Sequence, residues 1–512
     1  MREKEYIRQR YAAILSSAGV ILVLAAAVML SPLSMLLIYP QEAGDAPAFA
    51  IPAACLAIIG LTIWRCFRPT SPVTLSIEEG GVIVLLTWTM VILFSAWPFV
   101  SVLGLGYSQA VFESVSGWTT TGLSVVNVKG AGRMILFWRS VMQLAGGAGL
   151  AIIMLSAIVG PTGVGISSAE GRSDQLVPHV RKSARLVLLI YTGYAAVGAL
   201  ACWMAGLSPF DAINHSFAAV STGGFSTQVE SIGYWDSTAV EAVTLPLMLL
   251  GNLSFVTAWF LWRGRLRFVW RNGEVRLMAF LIPVSAAVVF ILTSRSLYPQ
   301  FGKSLRVAAF ETISALTTTG FSTVSYSDWN APGVLMLIVL MLIGGGTCST
   351  AGGLKQFRVY LLWKLLIWEI RRSLLPRSTV MERPVWEGSR RVFVDDARLR
   401  QVGVFVFLYL ATYMFGVMIL CACGYSLKGS LFEYASAIGT VGLSVGITSP
   451  AMPSLALWVE MLAMFLGRLE FIVVIVSLLK LIRDGSRFMG STPDAKRVHT
   501  NGTGFKKRIR QI

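Results

Sequence analysis

The sequence predicts an all-α membrane protein: two N-terminal transmembrane helices, then four repeats of span, half-helix and span in a pseudo-fourfold arrangement. Three observations carry this expectation. The 512 residues are 55% hydrophobic and only 13% charged, against roughly 25% in an ordinary soluble domain, so the chain cannot cover a water-facing surface. Ten stretches reach the ~20 apolar residues that a spanning helix needs: 11–39, 47–67, 81–103, 134–158, 186–206, 241–262, 275–294, 331–367, 401–423 and 452–482. Finally, one polar run in this apolar chain is written four times: FESVSGWTTTGLSV from Phe112, HSFAAVSTGGFST from His215, ETISALTTTGFST from Glu311 and EYASAIGTVGLSV from Glu433.

The elements follow in order. The first apolar stretch is too long for a signal-peptide core and no small-residue cleavage site follows it, so residues 1–70 are expected to hold two retained helices. Repeats are expected at 71–160, 161–262, 263–368 and 401–482. In each, a shorter half-apolar segment lies between the two spans and ends in the polar run. Such a segment is too short to cross and reads as a re-entrant helix. Residues 369–400, with RRSLLPRSTVMERPVWEGSRR, read as a basic cytoplasmic linker or docking surface, and 483–512 as a basic cytoplasmic tail.

Charge fixes the orientation. With the N-terminus inside, thirty-five of the forty-three Lys and Arg fall on the inner side. Seven (Lys129, Arg133, Arg139, Arg295, Lys303, Arg306, Lys428) fall on the outer side, and Arg468 lies within a span. The positive-inside rule then places both termini in the cytoplasm. It also accounts for the net charge of +17 without a nucleic-acid partner, and leaves a basic face suited to anionic membrane lipid or an acidic protein surface. The six Cys (55, 66, 202, 348, 421, 423) lie in or beside apolar stretches, which fits small buried residues rather than a disulfide framework. With only three His, no His- or Cys-based metal centre is expected.

The four runs align on Gly122, Gly224, Gly320 and Gly442, about a hundred residues apart, a period that dictates architecture. Thr120, Thr222, Thr318 and Thr440 stand two before; Thr121, Gly223, Thr319 and Val441 one before; Ser124, Ser226, Ser322 and Ser444 two after; Glu113, His215, Glu311 and Glu433 nine before. One such run alone would be a turn at a helix end. Four in register, each after a half-helix, argue for a shared centre. Non-helical backbone survives at membrane depth only where it is buried or lines water. Rings of carbonyls there can replace the hydration shell of a cation, and each half-helix turns its partially negative C-terminus toward it. Thr440-Val441-Gly442 matches the TVG of tetrameric K⁺-channel filters. The acids and His215, two turns back, are expected to hydrogen-bond backbone groups behind the runs rather than to bind the ion.

These residues resemble the Trk/Ktr/HKT superfamily of K⁺ transporters over nearly the whole chain. The resemblance implies membrane–pore–membrane repeats, with K⁺ coordinated by Thr120, Thr121, Gly122, Thr222, Gly223, Gly224, Thr318, Thr319, Gly320, Thr440, Val441 and Gly442. Glycine at all four aligned places looks like the K⁺-selective form. LIGGGTCSTAGGLKQFR, from Leu342, looks like the family's intramembrane gating loop. Its Gly344, Gly345, Gly346, Gly352 and Gly353 disfavour a continuous helix, while a Gly-rich helix contact is the alternative. LGRLEF places Arg468 deep in the last span, where the family has an Arg beneath the filter, a barrier in the pore. A salt bridge of Arg468 to Glu460 or Glu470 is the alternative.

The resemblance further implies a homodimer in the inner (plasma) membrane, each subunit with its own pore, above a cytosolic TrkA/KtrA-type regulatory ring. No GxGxxG fingerprint at a strand–helix turn is present, so no nucleotide is expected on this chain. The two extra helices and GRLE look like the TrkH type, and GTVGLSVGIT like KtrB. The function expected is gated K⁺ uptake. A symporter coupling K⁺ to Na⁺ or H⁺ is the first rival, and a membrane-embedded lipid-modifying enzyme a distant one.

Overall fold

The structure is a computed structural model that describes residues 2–69, 75–149, 180–376, 382–387 and 390–489. The lower end of the fourth expected span, the first repeat boundary at 160/161, part of the linker and the tail from 490 lie outside the described residues. The described chain is predominantly helical. Helices α1 (Arg2–Met29) and α2 (Ala46–Cys66) form the N-terminal pair. A Cβ placed on Gly19 would lie 2.6 Å from the Gly60 carbonyl oxygen, and one on Gly60 2.7 Å from that of Gly19. Small residues allow this close backbone approach, which dispersion then rewards in lipid.

Helix α3 (Ile77–Ser95) opens with a Ser76–Glu79 capping box, which satisfies two otherwise orphaned amides. Glu79 also takes the guanidinium of Arg10 from α1 and lies 3.9 Å from the Lys480 ammonium. One carboxylate thus ties three helices at the end of the bundle. After α4 (Trp97–Leu103) comes the first half-helix, α5 (Tyr107–Trp118), followed by α6 (Arg133–Ala148). The second repeat has α7 (Val180–Met204), half-helix α8 (Pro209–Val220), α9 (Thr238–Asn252) and α10 (Phe255–Trp262). The third has α11 (Gly273–Val289), half-helix α12 (Phe301–Leu316), α13 (Ala331–Ile343) and α14 (Gln356–Leu374). The fourth has α15 (Asp396–Ala422), half-helix α16 (Leu427–Gly439), α17 (Ser454–Leu469) and α18 (Phe471–Met489).

The sequence suggests ten spans. Among the described residues six helices are long and apolar enough to cross alone, and a seventh forms if α17 and α18, bent by 99°, count as one. The difference lies in the second helix of the repeats; that of repeat one, expected at 134–158, runs outside the described residues. The expected break at 344–353 is present. The stretches 241–262 and 452–482, expected to run through, break as well. Leu253 takes extended backbone between Asn252 and Ser254, and Ser254 caps α10 by accepting from the Thr257 amide. Glu470 sits at φ 63°, outside helical space for a non-glycine residue. Asn252 and Ser254 mark the first break and Arg468 and Glu470 the second, but the long apolar stretches on either side keep the window-averaged hydropathy high, so hydropathy does not register them.

The described part of the linker forms a hairpin. β1 (Pro384–Glu387) pairs antiparallel with β2 (Arg390–Phe393). Val385 and Val394 pack into a small core with Phe357, Leu361, Trp368 and Val402, which seats the hairpin between α14 and α15.

Candidate functional site

Each half-helix ends in the same way. The amides of Thr121, Gly223, Thr319 and Val441 donate five residues back, to Ser116, Ala218, Ser314 and Ser436, at 2.8–3.0 Å. The preceding Thr amides donate three back, to Gly117, Ala219, Ala315 and Ala437. This is the Schellman closure, with Thr where glycine is usual. Thr120, Thr222, Thr318 and Thr440 accordingly stand at φ 56°, 52°, 53° and 50°. A β-branched residue held there costs ~1–2 kcal/mol, so the surroundings must impose it.

The four strands close a ring. A Cβ on Gly122 would run into the Gly223 carbonyl oxygen; on Gly224, into Thr319; on Gly320, into Val441; on Gly442, into Thr121. The contacts run from repeat one to two, two to three, three to four and back to one. All four glycines have positive φ, 96°, 73°, 80° and 100°, a region open to a residue without Cβ. The ring therefore brings together all twelve residues that the sequence singles out.

Behind the ring the acids do what their position suggests. Glu113 accepts from the Ser124 hydroxyl at 2.9 Å and the Val125 amide at 3.1 Å. Glu433 accepts from Ser444 at 2.6 Å and the Val445 amide at 3.1 Å. Glu311 accepts from the amide and hydroxyl of Thr323, both at 2.8 Å, and from the Tyr326 hydroxyl. His215 pairs with the Ser226 hydroxyl at 2.9 Å.

Two further residues escaped the sequence reading. Arg139, assigned by its neighbours to the outer side, is 2% exposed. It donates to Glu113 at 2.7 Å, to the Ser124 hydroxyl at 2.9 Å and to the Ser226 carbonyl at 3.0 Å, and covers the Phe225 ring. It thereby joins the first strand to the second. Gln143, one turn on, donates to the Gly223 carbonyl and accepts from the Phe225 amide at 3.2 Å. In repeats one and four the glycine amide instead donates to Ser116 at 3.0 Å or Ser436 at 2.9 Å. Repeat two has Ala218 at that place, and there Gln143 holds the residues on either side of the glycine, the Gly223 carbonyl and the Phe225 amide. The readable signal was a charged and an amide residue four apart in an apolar helix.

Removing one partner of a buried ion pair costs about 3–5 kcal/mol. Arg139→Ala is therefore expected to lower thermal stability in detergent sharply, with Arg139→Ala/Glu113→Gln recovering part of the loss. A double variant no more stable than the single would contradict the pairing.

The loop between α13 and α14 lies against the inner face of the ring. The Gly352 amide donates to the Thr318 hydroxyl at 2.9 Å, and the Thr222 hydroxyl meets that of Thr350 at 3.1 Å. A Cβ on Gly352 would strike the Thr440 hydroxyl. The loop folds back on itself, with the Gly345 amide on the Gly352 carbonyl at 3.0 Å and the Gln356 amide on Gly345 at 2.7 Å. Gly344 and Gly353 make its turns at φ 69° and 78°. From the side, the Gly346 amide donates to Asn252 Oδ1 at 3.0 Å and the Thr347 amide to Glu274 at 2.8 Å.

Arg468 reaches the same loop, donating to the Thr350 carbonyl at 2.9 Å and the Gly146 carbonyl at 2.7 Å. Neither suggested carboxylate is seen as its partner: Glu470 takes Arg358 at 2.9 Å, and Glu460 takes the Thr448 hydroxyl at 3.2 Å.

Comparison with known proteins places this architecture. The family model described as "TrkH: Cation transport protein" matches residues 47–488. An uncharacterized cation transporter of Methanocaldococcus jannaschii is 30% identical over 84% of this chain and 87% of its own length. The Trk system potassium uptake protein TrkH of Halomonas elongata is 31% identical over 90% of this chain and 97% of its own. The crystal structure of the potassium transporter TrkH from Vibrio parahaemolyticus superposes with a TM-score of 0.79 at 28% identity, covering 92% of this chain and 98% of that one.

Proposed function

The chain belongs to the TrkH family of cation transport proteins, a family of transporters rather than enzymes, and from that premise we propose that it takes up K⁺ through the ring of four strands. The observation that carries the reading is the cyclic contact of each glycine with the carbonyl of the next repeat. Carbonyls of residues 121, 223, 319 and 441 in one closed ring offer a dehydrated K⁺ the oxygens it loses from water. Beneath them the buried Thr120 and Thr440 hydroxyls lack a partner among the described residues and are suited to the same ion. The relatives named for potassium uptake support the choice of ion.

In this reading the loop at 344–353 is the gate. It occupies the space below the Thr ring, and its glycines permit a second backbone arrangement without side-chain clashes. Arg468 holds it through Thr350 and adds a positive charge to the path, a barrier to cations. The protein is a multi-pass protein of the inner membrane with both termini in the cytoplasm, as the charge distribution argues. It works as a homodimer on a cytosolic ring of the TrkA type, which binds the regulatory nucleotide.

The test is ⁸⁶Rb⁺ uptake into liposomes carrying the purified protein. Uptake is expected to be competed by K⁺, with Na⁺ a weak competitor, and to proceed without a Na⁺ gradient. Equal competition by Na⁺ would remove the K⁺ filter. Strict dependence on a Na⁺ or H⁺ gradient would favour the symporter.

A further inference from the structure

We propose that residues 262–271 bind anionic phospholipid of the cytoplasmic leaflet, and that lipid bound there holds the loop at 344–353 in its seat below the ring. The segment is basic and has no acid to balance it. Arg263, Arg265, Arg267 and Arg271 are all exposed, and no carboxylate occurs between Ala242 and Gly273. Arg263 lies over the Trp259 ring and Arg271 over that of Trp386. The guanidinium groups of Arg265 and Arg267 have no hydrogen-bond or ion-pair partner among the described residues.

Exposed apolar side chains stand among these charges. Trp262 is 48% exposed, Leu266 63% and Trp270 59%. An acidic protein surface would match the arginines and leave the Leu and the indoles without a partner. The boundary between headgroups and acyl chains takes both, because indoles favour it and arginines reach from it to phosphate. The segment follows α10, the lower half of the broken second span of repeat two, whose end is cytoplasmic by the positive-inside rule.

The segment is a compact foot. Gly264 turns the chain at φ 67°. The Arg265 amide donates to the Phe260 carbonyl at 2.9 Å, and Phe268 stacks on Phe260 with ring centroids 5.2 Å apart. Above them, Asn272 Nδ2 donates to the Thr257 hydroxyl at 2.9 Å and ties α10 to the start of α11. Both legs of the foot end on the glycine-rich loop. On the first, the Phe255 amide donates to the Cys348 carbonyl at 3.2 Å, and the Gly251 carbonyl accepts from the Thr350 hydroxyl at 2.9 Å. On the second, Glu274 accepts from the Thr347 amide. The loop cannot leave the ring without breaking these bonds or carrying the legs with it. Lipid that fixes the foot favours the arrangement with the loop seated, by as much as it prefers that position of the foot to any other.

The lipid site stands without the gate reading; the coupling rests on it, and two measurements separate them. The first places the purified protein in phosphatidylcholine vesicles containing phosphatidylglycerol, with brominated chains on one lipid at a time. Trp270 emission, taken as the difference from Trp270→Phe, should be quenched by phosphatidylglycerol beyond its share of the bilayer. Arg265→Gln/Arg267→Gln should weaken that preference about thirtyfold, about fivefold for each arginine, and Arg265→Lys/Arg267→Lys should retain it. Equal quenching by the two lipids overturns the site, as does an excess that the Gln variant keeps. Equal quenching together with lost binding of a purified TrkA-type ring by the Gln variant overturns it in favour of an acidic protein surface. Should the Gln variant fail to fold, about 1 M salt should remove the excess from the native protein; an excess that survives overturns the site.

The second measurement is ⁸⁶Rb⁺ uptake in the same vesicles. Native uptake should fall about fivefold as phosphatidylglycerol rises, the preference that one arginine supplies, while uptake by Arg265→Gln/Arg267→Gln should not. Both proteins meet the same bulk surface potential, so the difference belongs to the site. Native uptake as indifferent to lipid as the variant's keeps the site and overturns the coupling. Protein lacking part of 344–353 should keep the excess quenching and lose the lipid dependence of uptake; a dependence equal to the native one overturns the coupling through the loop. If that deletion fails to raise uptake in any lipid, the gate reading falls and the coupling with it, while the site stands on the quenching.

Discussion

Gly122→Ser is expected to lower the K⁺/Na⁺ permeability ratio. The new side chain would point into the Gly223 carbonyl oxygen at a residue with φ 96°. Either that carbonyl turns away or the first strand retreats, and one member of the ring is displaced in both cases. A lost polar contact of this kind is worth ~1–3 kcal/mol, which corresponds to roughly five- to 150-fold in the ratio. Backbone strain alone must be separated from the clash. Gly424 has the same φ of 96° but open space around its Cβ position. Gly424→Ser carries the strain without the collision, and its selectivity should match that of the native protein. Bi-ionic potentials or competitive ⁸⁶Rb⁺ uptake measure both. An unchanged ratio in Gly122→Ser would remove Gly122 from the filter.

Deleting part of 344–353 is expected to raise flux. The loop donates Gly352 N–H to Thr318, meets Thr222 through Thr350, and is held by Arg468. Two such hydrogen bonds at ~1 kcal/mol each set a closed state that is roughly thirtyfold favoured. Removing them should increase uptake by about that factor, up to the limit set by the ring. Arg468→Ala should also raise flux, losing both the tie to Thr350 and the charge on the path. Because the two changes share the Thr350 contact, the combined variant should gain less than the product of the separate gains. Lower flux in folded deletion protein would contradict the gate.

Much of the candidate site was legible in the sequence, and the reason is symmetry. Glu113, Glu311 and Glu433 each stand nine residues before an aligned glycine, and a repeated position implies a repeated contact. Places where one repeat departs from the others were not legible. Repeat two has Ala218 where repeats one and four have a serine under the glycine amide, and its run is held instead at Gly223 and Phe225 by Gln143, from a helix of another repeat. Arg139 reads as an outer-face charge beside Arg133 because nothing in its own helix announces a buried acid at Glu113. The breaks at 253 and 470 were hidden for a different reason: hydropathy averages over a window, and the few polar residues at each break, Asn252 and Ser254 or Arg468 and Glu470, are outweighed by the apolar helices on both sides. The hairpin at 384–393 was masked by its basic composition, although Val385 and Val394 do bury.

The sequence by itself determined that the chain is membrane-embedded, that it is built of four related units, and which glycines mark them. Hydropathy, charge asymmetry and internal repetition are properties of residues along one chain, and they need no fold to be counted. Only the tertiary structure decided the order of the units around the ring, the seating of each glycine against the next unit's carbonyl, and the left-handed Thr at each half-helix end. It alone placed the glycine-rich loop beneath the Thr hydroxyls and brought Arg139 from one repeat onto Glu113 and the strand of the next. These are contacts through space between segments far apart in the chain, fixed by packing that no local pattern encodes.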